Sequence, residues 1–379
     1  MPSVIVAPVN SSRDRRVFIQ FEYAHYRDDE KWIPPLRMDV SRILNRKKNA
    51  FFEHGNIQLF LARNQSGSVV GRIGAIVNGM HLKKYNDEVG FFGFFECIND
   101  FEVAKALFDT ASEWLLEQGL HTVRGPANPS LNDVAGLLVD GFHRQPAILM
   151  PYNKPYYEQF LLDYGFTRAM TMWSYYSNSR LINADRLSRG KSIVLKRNPT
   201  FSVRIVDMDH WDRDVRIMLD IFNDAWSDNW GHVPMTEGEI QQLADEMKMI
   251  VIPDLINFVE DDGVPIGFSA SIPDLNYIFS TIKNGRLFPT GALKLLLGMK
   301  LKFVRETRMP LMGVKKSHHG KGIDALLISD MLERQRAYGM LGAELSWVLE
   351  TNPRLINFLD GIGAARENEY ALFEKPIGS

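Results

Sequence analysis

The stretch Leu311-Met-Gly-Val-Lys-Lys-Ser-His-His-Gly-Lys-Gly-Ile-Asp324 runs an apolar strand end into a polar turn with glycines at 320 and 322. Behind it, apolar residues recur at helical spacing from Ile323 to Arg334. The spacing predicts a strand, a glycine loop and a helix start. The first turn of a helix carries unpaired N–H groups and the positive end of its dipole, which together attract an anion. Glycine lets the backbone approach a phosphate closely. Lys321 adds a mobile positive charge. The same spacing also fits a plain strand-to-helix turn. A Walker A loop is excluded, because the four-residue spacer and the Gly-Lys-Ser/Thr end are missing. A dinucleotide fingerprint is excluded because no third glycine follows at the right distance.

Proton transfer needs a side chain with a shifted pKa. Glu96 sits in the otherwise apolar run Gly90-Phe-Phe-Gly-Phe-Phe-Glu-Cys-Ile98, where a carboxylate is costly unless partnered. Asp133 follows Asn132, and His143 closes Asp140-Gly-Phe-His143, both within the Asn-, Ser-, Gly- and Pro-rich stretch 127–150. Functional residues favour such loops, and Asp and Asn also simply make turns. Glu96, Asp133 and His143 are therefore the candidate catalytic residues, each with a structural reading beside it. His318 and His319 flank the glycine loop, and Glu350 precedes Asn352. His25, His54 and His81 are isolated, and no pair has metal-ligand spacing, so no metal is expected. Cys97 is the single cysteine, which excludes a disulfide framework and a zinc knuckle and reads as core.

These residues need elements to hold them. The chain of 379 residues is long enough for two or three domains, and its net charge of −2 gives a nucleic-acid partner no global support. No run of 18 apolar residues occurs and no signal-peptide pattern opens the chain, so a cytoplasmic location is the default expectation. Ile57–Ala62 and Val69–Val77 read as a hairpin across 64–67, followed by a buried strand at 90–98 and a helix from Phe101 to Gln118. Thr122–Gly125 reads as a short strand, Asn153–Phe166 as a helix closed by glycine, and Met172–Tyr176 as a strand. Phe201–Val206 then opens a second series: helices near 209–225 and 236–248, a hairpin across Asp261-Asp-Gly263, an inserted segment at 284–308, and the glycine loop. Asn153-x-Pro155 and Asn352-Pro353 fall at matching places in the two halves. The expected organisation is 1–180, a linker at 181–199, and 200–379. Pro289–Arg305 is apolar with four basic residues and too short to span a bilayer; it reads as a membrane-surface segment or as a helix covering an apolar pocket.

The loop His319-Gly-Lys-Gly-Ile-Asp324 resembles the acetyl-CoA pyrophosphate loop of the GNAT N-acyltransferase superfamily, Arg/Gln-x-x-Gly-x-Gly/Ala after a strand ending in Val. The resemblance continues through Leu345-Ser-Trp-Val-Leu349, the Asn-led helix after Asn352, and the closing Tyr370–Phe373. It implies an α/β fold of two tandem GNAT-like units, mixed central sheets flanked by helices, with the first unit a degenerate substrate or lid platform. It also implies that acyl-CoA, acetyl-CoA included, is held by Met312, Gly313 and Val314 through backbone atoms, by His319, Gly320, Lys321, Gly322, Ile323 and Asp324, and by Asn352. The first half has Asn99-Asp100 in place of a glycine loop, so the cofactor belongs to the second. Three positions depart from the pattern: His319 replaces Arg/Gln, Asp324 replaces Gly/Ala, and Leu359 stands where many relatives carry a thiolate-protonating Tyr. Trp32-Ile-Pro-Pro35, Gly90–Glu96 and Glu344–Glu350 also resemble a bacterial tandem GNAT set that includes ceramide-synthase-type lipid N-acyltransferases. The resemblance implies acyl transfer from acyl-CoA, or from acyl carrier protein, to an amine; together with the apolar insert it suggests a long-chain donor and a lipid-like acceptor, and the insert itself leaves peripheral contact with the inner membrane as an expectation. A Fem-like aminoacyl or peptidyl transferase and a non-catalytic thioester-binding regulator stay open, as does the oligomeric state.

Overall fold

The computed structural model describes residues 4–178 and 182–378. The chain forms two compact units: residues 1–171, 278–296 and 368–379 make the first, and 172–277 with 297–367 make the second. This division differs from the expected boundaries. Twelve C-terminal residues join the first unit, and the strand segment after Met172 joins the second. The expected linker is mostly helix, Ala184–Arg197, capped by Asn183. Residues 179–181, where the boundary was placed, lie outside the described residues.

The first unit builds a mixed sheet in the order Val4–Pro8, Gly55–Asn64, Val69–Asn78, Val89–Cys97 and Thr122–Gly125, followed by the C-terminal strand. The first four pair antiparallel. Val89–Phe91 pairs parallel with Thr122–Arg124. Phe373–Pro376 pairs antiparallel with Thr122–Gly125. The amphipathic helix Phe101–Glu117 lays Val103, Ala104, Leu107, Phe108, Ala111 and Leu115 onto this sheet. It stops at Gly119, whose φ of +77° suits glycine. The helix expected from Asn153 begins later, at Tyr157, and ends at Gly165 with φ +96°. Asn153 is not its cap: its amide accepts from Leu138 N at 2.7 Å and donates to Leu138 O at 3.1 Å, tying a loop to a strand.

The second unit repeats the plan with the part of the strand Thr167–Asn178 that starts at Met172, then Gly342–Leu349, Glu306–Val314, Val264–Pro273, Ile256–Asp261 and Phe201–Ile205 side by side. Its hairpin turns through Asp262 and Gly263, both at positive φ, as a two-residue loop between twisted strands requires. Thr236 and Glu239 cap Glu237–Lys248 reciprocally. The helix Ile323–Tyr338 buries Ile323, Leu326 and Leu327 against Val259, Ile266 and Val314. A polar network also holds it. Asn257 donates to Asp330 at 3.0 Å and to Leu327 O, and accepts from Ser269.

Candidate functional site

In the second unit the strands Glu306–Val314 and Gly342–Leu349 run parallel only from Glu306/Gly342 to Met309/Leu345. Beyond that they splay, and a cleft of about 360 Å³ opens between them. Its walls are the two strand ends, Trp226 and Asn229, the start of the loop helix, and Asn352 to Leu359; all belong to the second unit.

Strand register decides which backbone groups reach this cleft. Lys315 N donates to Ile266 O, and the pairing runs without a shift to Gly313↔Phe268 and Met312↔Ser269. Bonded and non-bonded pairs alternate in an antiparallel ladder. Gly313 is therefore engaged with the neighbouring strand, while Met312 and Val314 turn their N–H and C=O groups away from it. Two contacts agree: Trp226 Nε1 donates to Met312 O at 3.0 Å, and His319 Nε2 lies 2.9 Å from Val314 O. Of the three backbone candidates, Gly313 is engaged with the neighbouring strand, while Met312 and Val314 direct their groups away from it and their carbonyls face Trp226 and His319.

The loop closes the cleft at one end. Gly320 and Gly322 take φ values of +82° and +81°. Gly322 occupies the N-cap position of the loop helix, and no side chain caps it, so the first N–H groups of a sixteen-residue helix stay open to an anion. A Cβ on Gly322 would lie 2.7 Å from Val194. The corresponding helix of the first unit is closed instead: Asp100 caps Phe101–Glu117 by accepting from Glu102 N, placing a carboxylate where a phosphate would sit. There Gly93 lies against Ala127 O and Asn128, and Phe94 N donates to Asn128 Oδ1 at 2.6 Å.

The other expected ligand contacts fall as follows. His319 has Nε2 committed to Val314 O, which leaves only Nδ1, a donor to phosphate only in the doubly protonated ring. Lys321 Nζ lies 5.9 Å from the Phe201 ring centroid. Ile323 is fully buried and acts as a packing anchor. Asp324 forms an ion pair with Arg354 at 2.8 Å, so its charge beside the loop is balanced. Asn352 caps Pro353–Ile362 by accepting from Leu355 N. Leu359 is buried on the cleft wall. Trp347 is a site residue that sequence reasoning quoted only within a longer stretch. It lines the cleft, and its buried indole N–H has no hydrogen-bond partner.

The three candidate catalytic residues lie in the first unit and do not share one environment. Glu96 is buried and accepts from Tyr26 and Tyr157 hydroxyls, each at 2.7 Å. Burial lifts its pKa to about 8; nearby Arg72 opposes the rise and Glu22 adds to it. His25 lies 3.0 Å from the Tyr157 hydroxyl, and burial lowers its pKa to about 4, so it is neutral at physiological pH. Asp133 and His143 are exposed on loops, and Asp133 accepts from Ser130 N at 3.2 Å. Among the described residues no cluster of His, Cys, Asp or Glu could hold a metal ion.

No family model matches the chain. It is 34% identical over 372 residues to Protein YghO of Escherichia coli (strain K12), covering 97% of this chain and 94% of that protein. It is 33% identical over 383 residues to the bacterial ceramide synthase of Caulobacter vibrioides (strain NA1000 / CB15N), covering 98% and 97%. The chain belongs to the family of these two proteins. Its fold is the tandem GNAT fold: a tandem GNAT protein from the clavulanic acid biosynthesis pathway superposes with a TM-score of 0.58 at 11% identity, covering 99% of both chains. The GNAT resemblance of the chain, and the narrower ceramide-synthase-type resemblance, are both borne out at the level of family and fold.

Proposed function

We propose that the second unit's cleft binds an acyl thioester and that the protein transfers its acyl group to an amine. One observation carries this reading. An uncapped helix start on a glycine loop stands at the end of two splayed strands, one of which turns the backbone of Met312 and Val314 into the gap. The open N–H groups and Lys321 suit the diphosphate of a CoA thioester. Met312 and Val314 suit its amide-rich arm. Met309, Leu355, Phe358 and Leu359 form an apolar wall that suits a long acyl chain.

The amine must lose a proton as the carbon–nitrogen bond forms, and the thiolate must leave. Leu359 cannot protonate it, so that proton comes from another donor or from solvent. The kinship with a bacterial ceramide synthase favours a lipid-like amine as acceptor. Leu359 and Asp324 are the two departures that favour a non-catalytic regulator; of these, Asp324 has its charge balanced by Arg354.

Calorimetric titration with acetyl-CoA, palmitoyl-CoA and free CoA tests the reading. Palmitoyl-CoA should bind, and Gly320→Trp, at a position where a Cβ meets no atom within 4 Å, should abolish binding while the fold, followed by circular dichroism, persists. Lys321→Ala should weaken binding severalfold without touching the packing. If none of the three ligands binds, CoA is not the donor. If palmitoyl-CoA binds, turnover is tested by mass spectrometry with palmitoyl-CoA and a long-chain amino alcohol.

A further inference from the structure

We propose that the segment 275–305 docks the protein on an anionic lipid surface. Its helix, Thr290–Lys300, is inverted relative to an ordinary surface helix. Gly291 and Gly298 are buried, with Leu295 half-buried, so the helix packs through its small residues. A Cβ on Gly291 would come within 3.0 Å of both Arg286 O and Ile282. The opposite stripe, Leu293, Leu296, Leu297 and Leu301, faces solvent. Phe288 and Phe303, on either side of the helix, are exposed too; Phe288 is 71% and Leu296 is 69% accessible. Six large apolar side chains exposed over sixteen residues form a patch, not the scatter that any surface shows.

Charge identifies the occupant. Between Asp274 and Glu306 there is no acidic residue, while Lys283, Arg286, Lys294, Lys300, Lys302 and Arg305 are all exposed. Among the described residues none of these six forms an ion pair. Lys300 lies within the leucine stripe, where its long stem can run along apolar surface with the ammonium in a headgroup layer. Exposed leucines flanked by bases that have no acidic partner match an acyl–headgroup boundary carrying negative charge. An acidic carrier protein would meet the charge but leave most of the apolar stripe without a partner.

Co-sedimentation with large unilamellar vesicles, phosphatidylcholine alone or equimolar with phosphatidylglycerol, tests this on the full chain. The protein should partition onto the anionic vesicles and release in high salt. The triple variant Leu293→Ser, Leu296→Ser, Leu297→Ser should lose at least tenfold in partitioning. Lys294→Gln, Lys300→Gln, Lys302→Gln should lose roughly a hundredfold, at about fivefold per charge. Both should melt like the parent, because these side chains are exposed. The proposal is overturned if anionic vesicles are not bound or if both variants bind unchanged. It is equally overturned if the leucine variant instead dissociates a self-associated form in sedimentation velocity, or if purified acyl carrier protein binds at this segment while vesicles do not.

Discussion

Glu96 shows how an environment, more than a residue type, sets a role. A carboxylate in an apolar strand can be a base, but two tyrosine hydroxyls donate to this one and burial keeps its proton on at neutral pH. It is better placed as an anchor joining Tyr26 and Tyr157 than as an open base. The sign of its pH linkage follows. Its ordinary pKa is 4.5 and its folded pKa about 8, so between these values the folded chain holds a proton that the unfolded chain releases. Stability from this group is full below pH 4.5 and is lost as pH rises through 8. Urea midpoints measured from pH 5 to 9 should fall by an amount equivalent to a few kcal/mol. Glu96→Gln keeps an acceptor for both hydroxyls and should flatten that slope. An unchanged slope in the variant would assign the linkage elsewhere. Much of this site was hidden at the residue level. The cost of a carboxylate among Phe and Cys was legible, but the tyrosines that offset it come from residues 26 and 157, far away in the chain.

At the scale of elements, the sequence announced the loop helix because glycine spacing and apolar periodicity are local signals. What holds that helix in place was not announced. Asp330 receives hydrogen bonds from Asn257 at 3.0 Å and from Arg334 at 2.6 Å, and lies 3.5 Å from Lys191. Burial raises its pKa, yet the bonds from Arg334 and Asn257 outweigh that and leave it below the usual carboxylate range. Asp330→Ala would leave the buried Asn257 amide with Leu327 O as its one remaining acceptor, remove the partner of Arg334, and loosen the helix whose N-terminus faces the cleft. Breaking one partner of such a buried network costs about 3 kcal/mol. The variant should therefore lose several degrees in melting temperature, and ligand affinity at the loop should weaken with it. A variant that melts normally would show that apolar packing alone positions the helix. Asn153 and Asn352 make the complementary point. Both stand before a proline or an x-Pro pair, yet only Asn352 caps the following helix, because Asn153 is drawn to the Leu138 backbone. The two-residue hairpin turn and the helix stops were legible because glycine at positive φ leaves a mark in the sequence; which partner a polar side chain finds does not.

Across the whole chain, the repeated order of elements was legible and the ownership of strands was not. A strand's own pattern of buried residues is the same whichever sheet receives it, so the natural reading cuts the chain once, in its middle. The structure instead gives 368–379 to the first unit and the strand segment from Met172 to the second. Tyr370, Ala371, Leu372 and Phe373 are at most 2% accessible, and Ala371 and Phe373 sit in the same core as Phe92, Phe108 and Leu115. Met172–Asn178 pairs along Gly342–Leu349. Fragments cut where the sequence suggests, 1–180 and 200–379, should therefore each fail. The first would lack the strand that covers Phe92 and Phe108, and losing Phe373 alone removes about 3 kcal/mol or more of packing. The second would lack the strand beside the cleft wall. The measurement is expression of each fragment, followed by size exclusion and amide exchange. Aggregation of both, with folding restored only in the uncut chain, supports strand ownership as assigned. A soluble, exchange-protected 1–180 fragment would show that Asn368–Pro376 adds little to the first unit, and the sheet order drawn for it would have to change.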